Sequence, residues 1–193
     1  MERECKYLGV ILTDNMCILK DVERVCNSFL QQFNSMYSRF NFCDIETLSF
    51  LFKSYCSSFY ASELWFNREK AKKELDTLSI VYHKAIKRVV NLSKWDNNHD
   101  ACCLANLPIF KHFLNNKLIN FVFSIINSKS PCIANLKTYF VRDSFLMKYT
   151  QEIFTSLYEV ENVLNNDLAA LKSRINFVER NETRSNYVPN FRR

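Results

Sequence analysis

The stretch LKDVERVCNSFLQQFNSMYSRF, residues 19–40, decides the fold. Its apolar positions are Val22, Val25, Cys26, Phe29, Leu30, Phe33, Met36, Tyr37 and Phe40. Steps of three and four place them on one face of a helix. The next two segments carry stripes of the same kind. Asp44 is placed to cap a second helix, which the spacing carries to about Trp65. Its stripe is Ile45, Leu48, Leu51, Phe52, Tyr55, Cys56, Phe59, Tyr60 and Leu64. A third helix runs from about Glu69 to Leu92, with Leu75, Leu78, Val81, Tyr82, Ala85, Ile86, Val89 and Val90 facing inward. Three long amphipathic helices with short connections predict an antiparallel bundle over residues 18–92.

Outward from that bundle the signals are shorter. Lys6–Thr13 is β-branched and apolar, with a glycine inside, and reads as a strand that turns at Asp14-Asn15. Residues 93–98 are a polar break. His99–Asn106 reads as a short helix, and Leu107-Pro108 opens another that carries Phe110, Phe113, Leu114, Leu118, Phe121, Val122, Ile125 and Ile126. Ser128–Pro131 ends it. Further helices are expected at about 132–140 and 144–178, followed by a basic, polar tail. The predicted fold is mainly α, with a short N-terminal β segment and a second helical layer. Its regions are 1–17, 18–92, 97–178 and 179–193.

Composition narrows the function classes. The 193 residues include one glycine, Gly9, where average usage would give roughly 13. Rossmann loops, P-loops and the G-x-S-x-G elbow all need more glycine than this. The 17 Phe and 9 Tyr supply ample core. The eight cysteines do not suggest a secreted disulfide framework, because the chain is long and reads as helical, and no signal-like stretch is expected at its N-terminus. The most apolar run, Leu118–Ile126, is far short of the ~20 residues a membrane span needs. The expectation is a reduced, intracellular protein, cytoplasmic or nuclear, with no membrane partner.

Charge is unevenly spread. The net charge is +6, and residues 68–94 alone carry +5. Within them Lys84, Lys87 and Arg88 fall at i, i+3 and i+4 on one helix face, with His83 and Lys94 close by. Such a face suits phosphate, although charge runs more often serve solubility. Lys70, Lys72 and Lys73 are interleaved with Glu69 and Glu74 and read as solvated surface. His99, Cys102, Cys103 and His112 hold metal-ligand residue types. Four such groups within 14 residues, two of them adjacent, converge poorly on a tetrahedral ion, so buried thiols are the simpler reading. No Cys–His pair has an identifiable third orienting group. No metal and no cofactor are expected. The aromatic stripes, and Trp65 and Trp95, read as packing.

Lys6-Tyr7-Leu8-Gly9-Val10 resembles the K-Y-L-G-V signature of reverse transcriptases from non-LTR (LINE-like) retrotransposons. In that family it lies in the primer-grip hairpin that follows the catalytic palm. Leu51-Phe52-Lys53-Ser54-Tyr55 with Tyr60 and Glu63-Leu64-Trp65 is similar to the family's "L-Y-x-S … Y-x-x-x-x-W" stretch. Lys87-Arg88 with Val89-Val90-Asn91-Leu92 is similar to its "R-x-I-L-G-L" run, with Asn91 in place of the usual Gly. Leu107-Pro108-Ile109 resembles its downstream "L-P-I/L" region. The likeness covers about residues 5–140.

The resemblance implies a thumb whose helix lies along a template–primer backbone. Lys84, Lys87, Arg88 and Lys94 are then the backbone-binding residues, and Lys6, Tyr7, Leu8 and Gly9 a primer-grip-like hairpin. The family's palm carries a Phe/Tyr-x-Asp-Asp motif for two catalytic metals, and this chain contains no adjacent aspartates. The expected function is a non-catalytic fragment of an RNA-directed DNA polymerase that binds RNA or an RNA–DNA duplex without sequence preference. The alternative is a helical interaction module that self-associates through exposed apolar faces and binds no nucleic acid.

Overall fold

The computed structural model describes residues 4–7, 10–13, 18–65, 71–131 and 133. The helices expected at about 132–140 and 144–178, and the tail, lie outside these. The chain divides into two compact units, Met1–Lys117 and Leu118–Arg193. The described fold is mainly helical with one two-stranded antiparallel sheet.

Strands β1 (Glu4–Tyr7) and β2 (Val10–Thr13) pair antiparallel, from Glu4 opposite Thr13 to Tyr7 opposite Val10. The expected single strand over Lys6–Thr13 is therefore a hairpin. The sequence from Tyr7 to Leu12 holds no charged residue, so apolarity alone does not locate the break.

Helix α1 (Leu19–Phe40) has the bounds its periodicity predicts, and buries Val22, Val25, Phe29, Phe33 and Met36. The second predicted helix is shorter than expected. It comprises α2 (Ile45–Leu51), a π-helical turn (Phe52–Cys56) and, after a break, a 3-10 turn at Ser62–Leu64. Asp44 caps α2 as expected, accepting from the Thr47 N–H at 2.7 Å. Phe59 and Ala61 then take positive φ angles of 32° and 65°, which no right-handed helix accommodates. Leu48, Phe52, Cys56 and Phe59 point inward, while Ile45, Tyr55 and Tyr60 are exposed.

Helix α3 (Lys72–Val89) returns alongside α1. Phe29 meets Tyr82, and Phe33 and Tyr37 meet Arg88 further on, so α1 and α3 run in the same direction. Phe52 lies against Phe33 and Phe59 against Phe29, so the segment between them runs the opposite way. The result is an up–down–up arrangement. Helices α4 (Asn98–Leu104) and α5 (Phe110–Asn127) follow.

Tyr82 is the hub of the core. Its ring lies within 5.4–6.3 Å of those of Phe29, Phe52, Phe59, Phe110 and Phe113, and its hydroxyl donates to the Pro108 carbonyl at 2.9 Å. The same hydrophobic cluster extends from Val22 through Val90 to Ala101, Leu107, Phe110 and Leu114. Aromatic pairs at these separations add to the free energy of burial.

The helix ends compensate for the shortage of glycine. Asn91 follows α3 with φ 56°, and Asn106 follows α4 with φ 51°. Leu92 N–H donates to Lys87 O at 2.8 Å and Asn91 N–H to Arg88 O at 3.3 Å. Leu107 N–H and Asn106 N–H make the equivalent bonds to Cys102 O and Cys103 O, at 2.9 and 3.1 Å. Both are Schellman motifs, a left-handed residue usually filled by Gly and, failing that, by Asn. Each Asn is followed by a Leu.

Candidate nucleic-acid interface

The basic residues singled out by spacing sit at the C-terminal end of α3, and they do not all face solvent. Lys84 and Arg88 are exposed, one turn apart. The Arg88 guanidinium lies 4.5 Å from the Tyr37 ring centroid and 5.4 Å from that of Phe33, and the Tyr37 hydroxyl donates to the Arg88 carbonyl at 3.4 Å. Stacking of this kind orients a guanidinium while its donors stay available.

Lys87 departs from the shared solvated face that i, i+3, i+4 spacing implies. It is only 8% exposed. Its ammonium donates to the Lys94 carbonyl at 3.2 Å and braces the loop after the helix. His83 is also buried. Its Nδ1 lies 2.8 Å from Ser79 O, while Nε2 has no partner. Burial, and secondarily the Lys87 charge, hold its pKa below the ordinary 6.5 against the opposing Ser79 carbonyl.

The braced loop is a tight turn. Asp96 N–H donates to Ser93 O at 3.1 Å, Ser93 N–H to the Asp96 carboxylate at 2.6 Å, and Trp95 N–H to Ser93 Oγ at 3.4 Å. The turn presents Lys94 and Trp95, both exposed, with the Lys94 ammonium 4.8 Å from the Trp95 ring centroid. Trp65 is buried as a packing residue, but Trp95 is 84% exposed. Sequence patterning treats the two tryptophans alike, and only the Ser93-x-x-Asp96 turn signal separates them.

Of the primer-grip-like set, Lys6 is exposed on β1 and Tyr7 ends that strand, while Leu8 and Gly9 lie outside the described residues. The hairpin is tied to α1 through Asp21, whose carboxylate accepts from the Ile11 N–H at 3.2 Å. Sequence reasoning misses both Asp21 and Lys117, since it has no signal for either. The Lys117 ammonium donates to the carbonyls of Ser58 and Phe59 and to Glu63, and so holds the irregular segment after the π-helical turn.

The buried thiols are unsuited to nucleophilic work. All six described cysteines are free. Burial pushes the Cys56 and Cys102 thiols up to about 12. Cys103 lies 3.5 Å from His99 Nδ1, but burial and then the Asp100 charge raise its pKa too, which favours the thiol. Among the described residues no three His, Cys, Asp or Glu side chains converge as a metal site, and no helix is long and apolar enough to cross a membrane. No protein-family model, curated protein or solved structure matches this chain.

Proposed function

We propose that this chain is a non-catalytic helical module, similar to a reverse-transcriptase thumb, that binds nucleic-acid backbone through Lys84, Arg88 and Lys94. The observation that carries the reading is the division of labour within the basic segment. Lys87 is spent on the scaffold, while Lys84 and Arg88 on α3 and Lys94 in the turn it braces are left exposed. Each exposed cation can displace counterions from a phosphate, so binding is independent of sequence and weakens with salt. A hairpin followed by an up–down–up bundle is also the order of elements that the resemblance leads one to expect.

The test is a salt titration of binding to an RNA–DNA duplex and to RNA. Replacing Lys84, Arg88 and Lys94 together by Ala is expected to weaken binding. It should also flatten the slope of log K against log salt by roughly 0.9 for each phosphate no longer neutralised. A wild-type chain with no salt slope, or a triple variant that binds equally well, overturns the reading.

A second reading is favoured by a different observation. Phe42 is 81% exposed and Phe50 69%, and Phe50 lines a groove of about 430 Å³ with Leu104 and Leu107 on one hand and Glu46, Lys53 and Asn106 on the other. Apolar groups in this setting suit a second copy of the chain. Concentration-dependent oligomers in size-exclusion chromatography, disrupted by Phe50→Ser and lacking nucleic-acid affinity, would favour it over the first.

A further inference from the structure

We propose that Trp95 is a stacking platform for an unpaired base, so that the preferred ligand is single-stranded nucleic acid. This rests on the backbone-binding reading and narrows its substrate.

An exposed tryptophan at the tip of a loose loop would carry little information. This one is held. Its backbone N–H is bonded to Ser93 Oγ, the residues on either side close the turn through Ser93 and Asp96, and Lys87 fixes the Lys94 carbonyl from beneath. The chain leading into the turn is set by the Schellman motif at Asn91. The turn fixes the backbone that carries the ring, and the ring itself is 84% exposed and open to stacking. Lys94 provides a cation 4.8 Å from the ring centroid. An aromatic ring with a cation beside it is an arrangement that binds a base and a phosphate of one strand together. In a duplex the base faces are already covered by their neighbours, so only an unpaired or terminal base can lie on Trp95.

The two tryptophans make the test direct. Trp65 is 2% exposed, so a change in emission on binding reports Trp95. The full chain is titrated with oligo-dT, with an abasic strand of equal length and charge, and with a blunt duplex. Oligo-dT is expected to quench the emission and to bind about ten-fold tighter than the abasic strand. Trp95→Ala should equalise the two affinities and keep the salt slope, and Trp95→Phe should restore part of the preference. Unchanged Trp65 emission checks that the variants fold. If oligo-dT and the abasic strand bind wild type equally, stacking is refuted, while a surviving salt slope leaves backbone binding standing. Tighter binding of the duplex with unquenched emission also refutes stacking. Absence of binding to all three refutes both ideas.

Discussion

Asp21 and Trp65 are joined across 44 residues by a 2.9 Å hydrogen bond from the indole Nε1 to the buried carboxylate Oδ2. The other oxygen, Oδ1, accepts from the Arg24 Nε at 2.8 Å and from the Ile11 backbone. One carboxylate thus fastens the hairpin, the first turn of α1 and the irregular segment after α2. Asp21→Ala would leave buried donors unsatisfied, and is expected to cost on the order of 3 kcal/mol in urea unfolding. Trp65→Phe removes one of these bonds and should cost less. A double-mutant cycle that showed the two changes to be additive would contradict the coupling.

The two left-handed asparagines give opposite outcomes for two substitutions. Asn91→Gly and Asn106→Gly relieve the steric cost of a positive φ, and each is expected to raise stability by about 0.5 kcal/mol. Asn91→Ala and Asn106→Ala should lower it by about 1 kcal/mol. Thermal unfolding of the four single variants checks both signs.

Acid stability should fall in two separate windows. The buried His83 has its pKa held below the ordinary 6.5, so the unfolded chain takes up its proton first. Stability is therefore level above about pH 6.5 and declines as pH drops below that value. Asp44 is held below its ordinary 3.8, first by the Thr47 N–H and then by the Thr47 hydroxyl. Its contribution is complete above 3.8 and is lost only as pH falls through its lower folded value. His83→Gln should flatten the upper window and leave the lower one, and Asp44→Asn the reverse. Denaturation midpoints followed from about pH 8 to about pH 2 decide the matter.

Much of this architecture is legible in the sequence where a single period persists. Helix α1 is an unbroken stripe, and its bounds follow from it. The second helix misleads because Phe59 and Tyr60 keep a helical spacing although the backbone has left the helix. What ends it is the positive φ at Phe59 and Ala61, held from a distance by Lys117, and one-dimensional periodicity carries no trace of such a tether. The candidate site shows the same limit. Spacing places Lys84, Lys87 and Arg88 on one face, but only packing decides that the middle residue turns in towards a loop carbonyl. The exposure of Trp95 is likewise a property of the turn that carries it, not of its residue type.

The ring of Tyr82 also sets an order of events at the ribosome. Its partners Phe29, Phe52 and Phe59, and the helix that bears it, are translated early, but Phe110, Phe113 and the Pro108 carbonyl emerge later. Until they do, the phenol has no acceptor there and one side of the aromatic cluster is open. A nascent chain stalled with Leu92 just clear of the exit tunnel should be sticky and recruit chaperones, whereas one stalled with Lys117 also clear of it should close and release them.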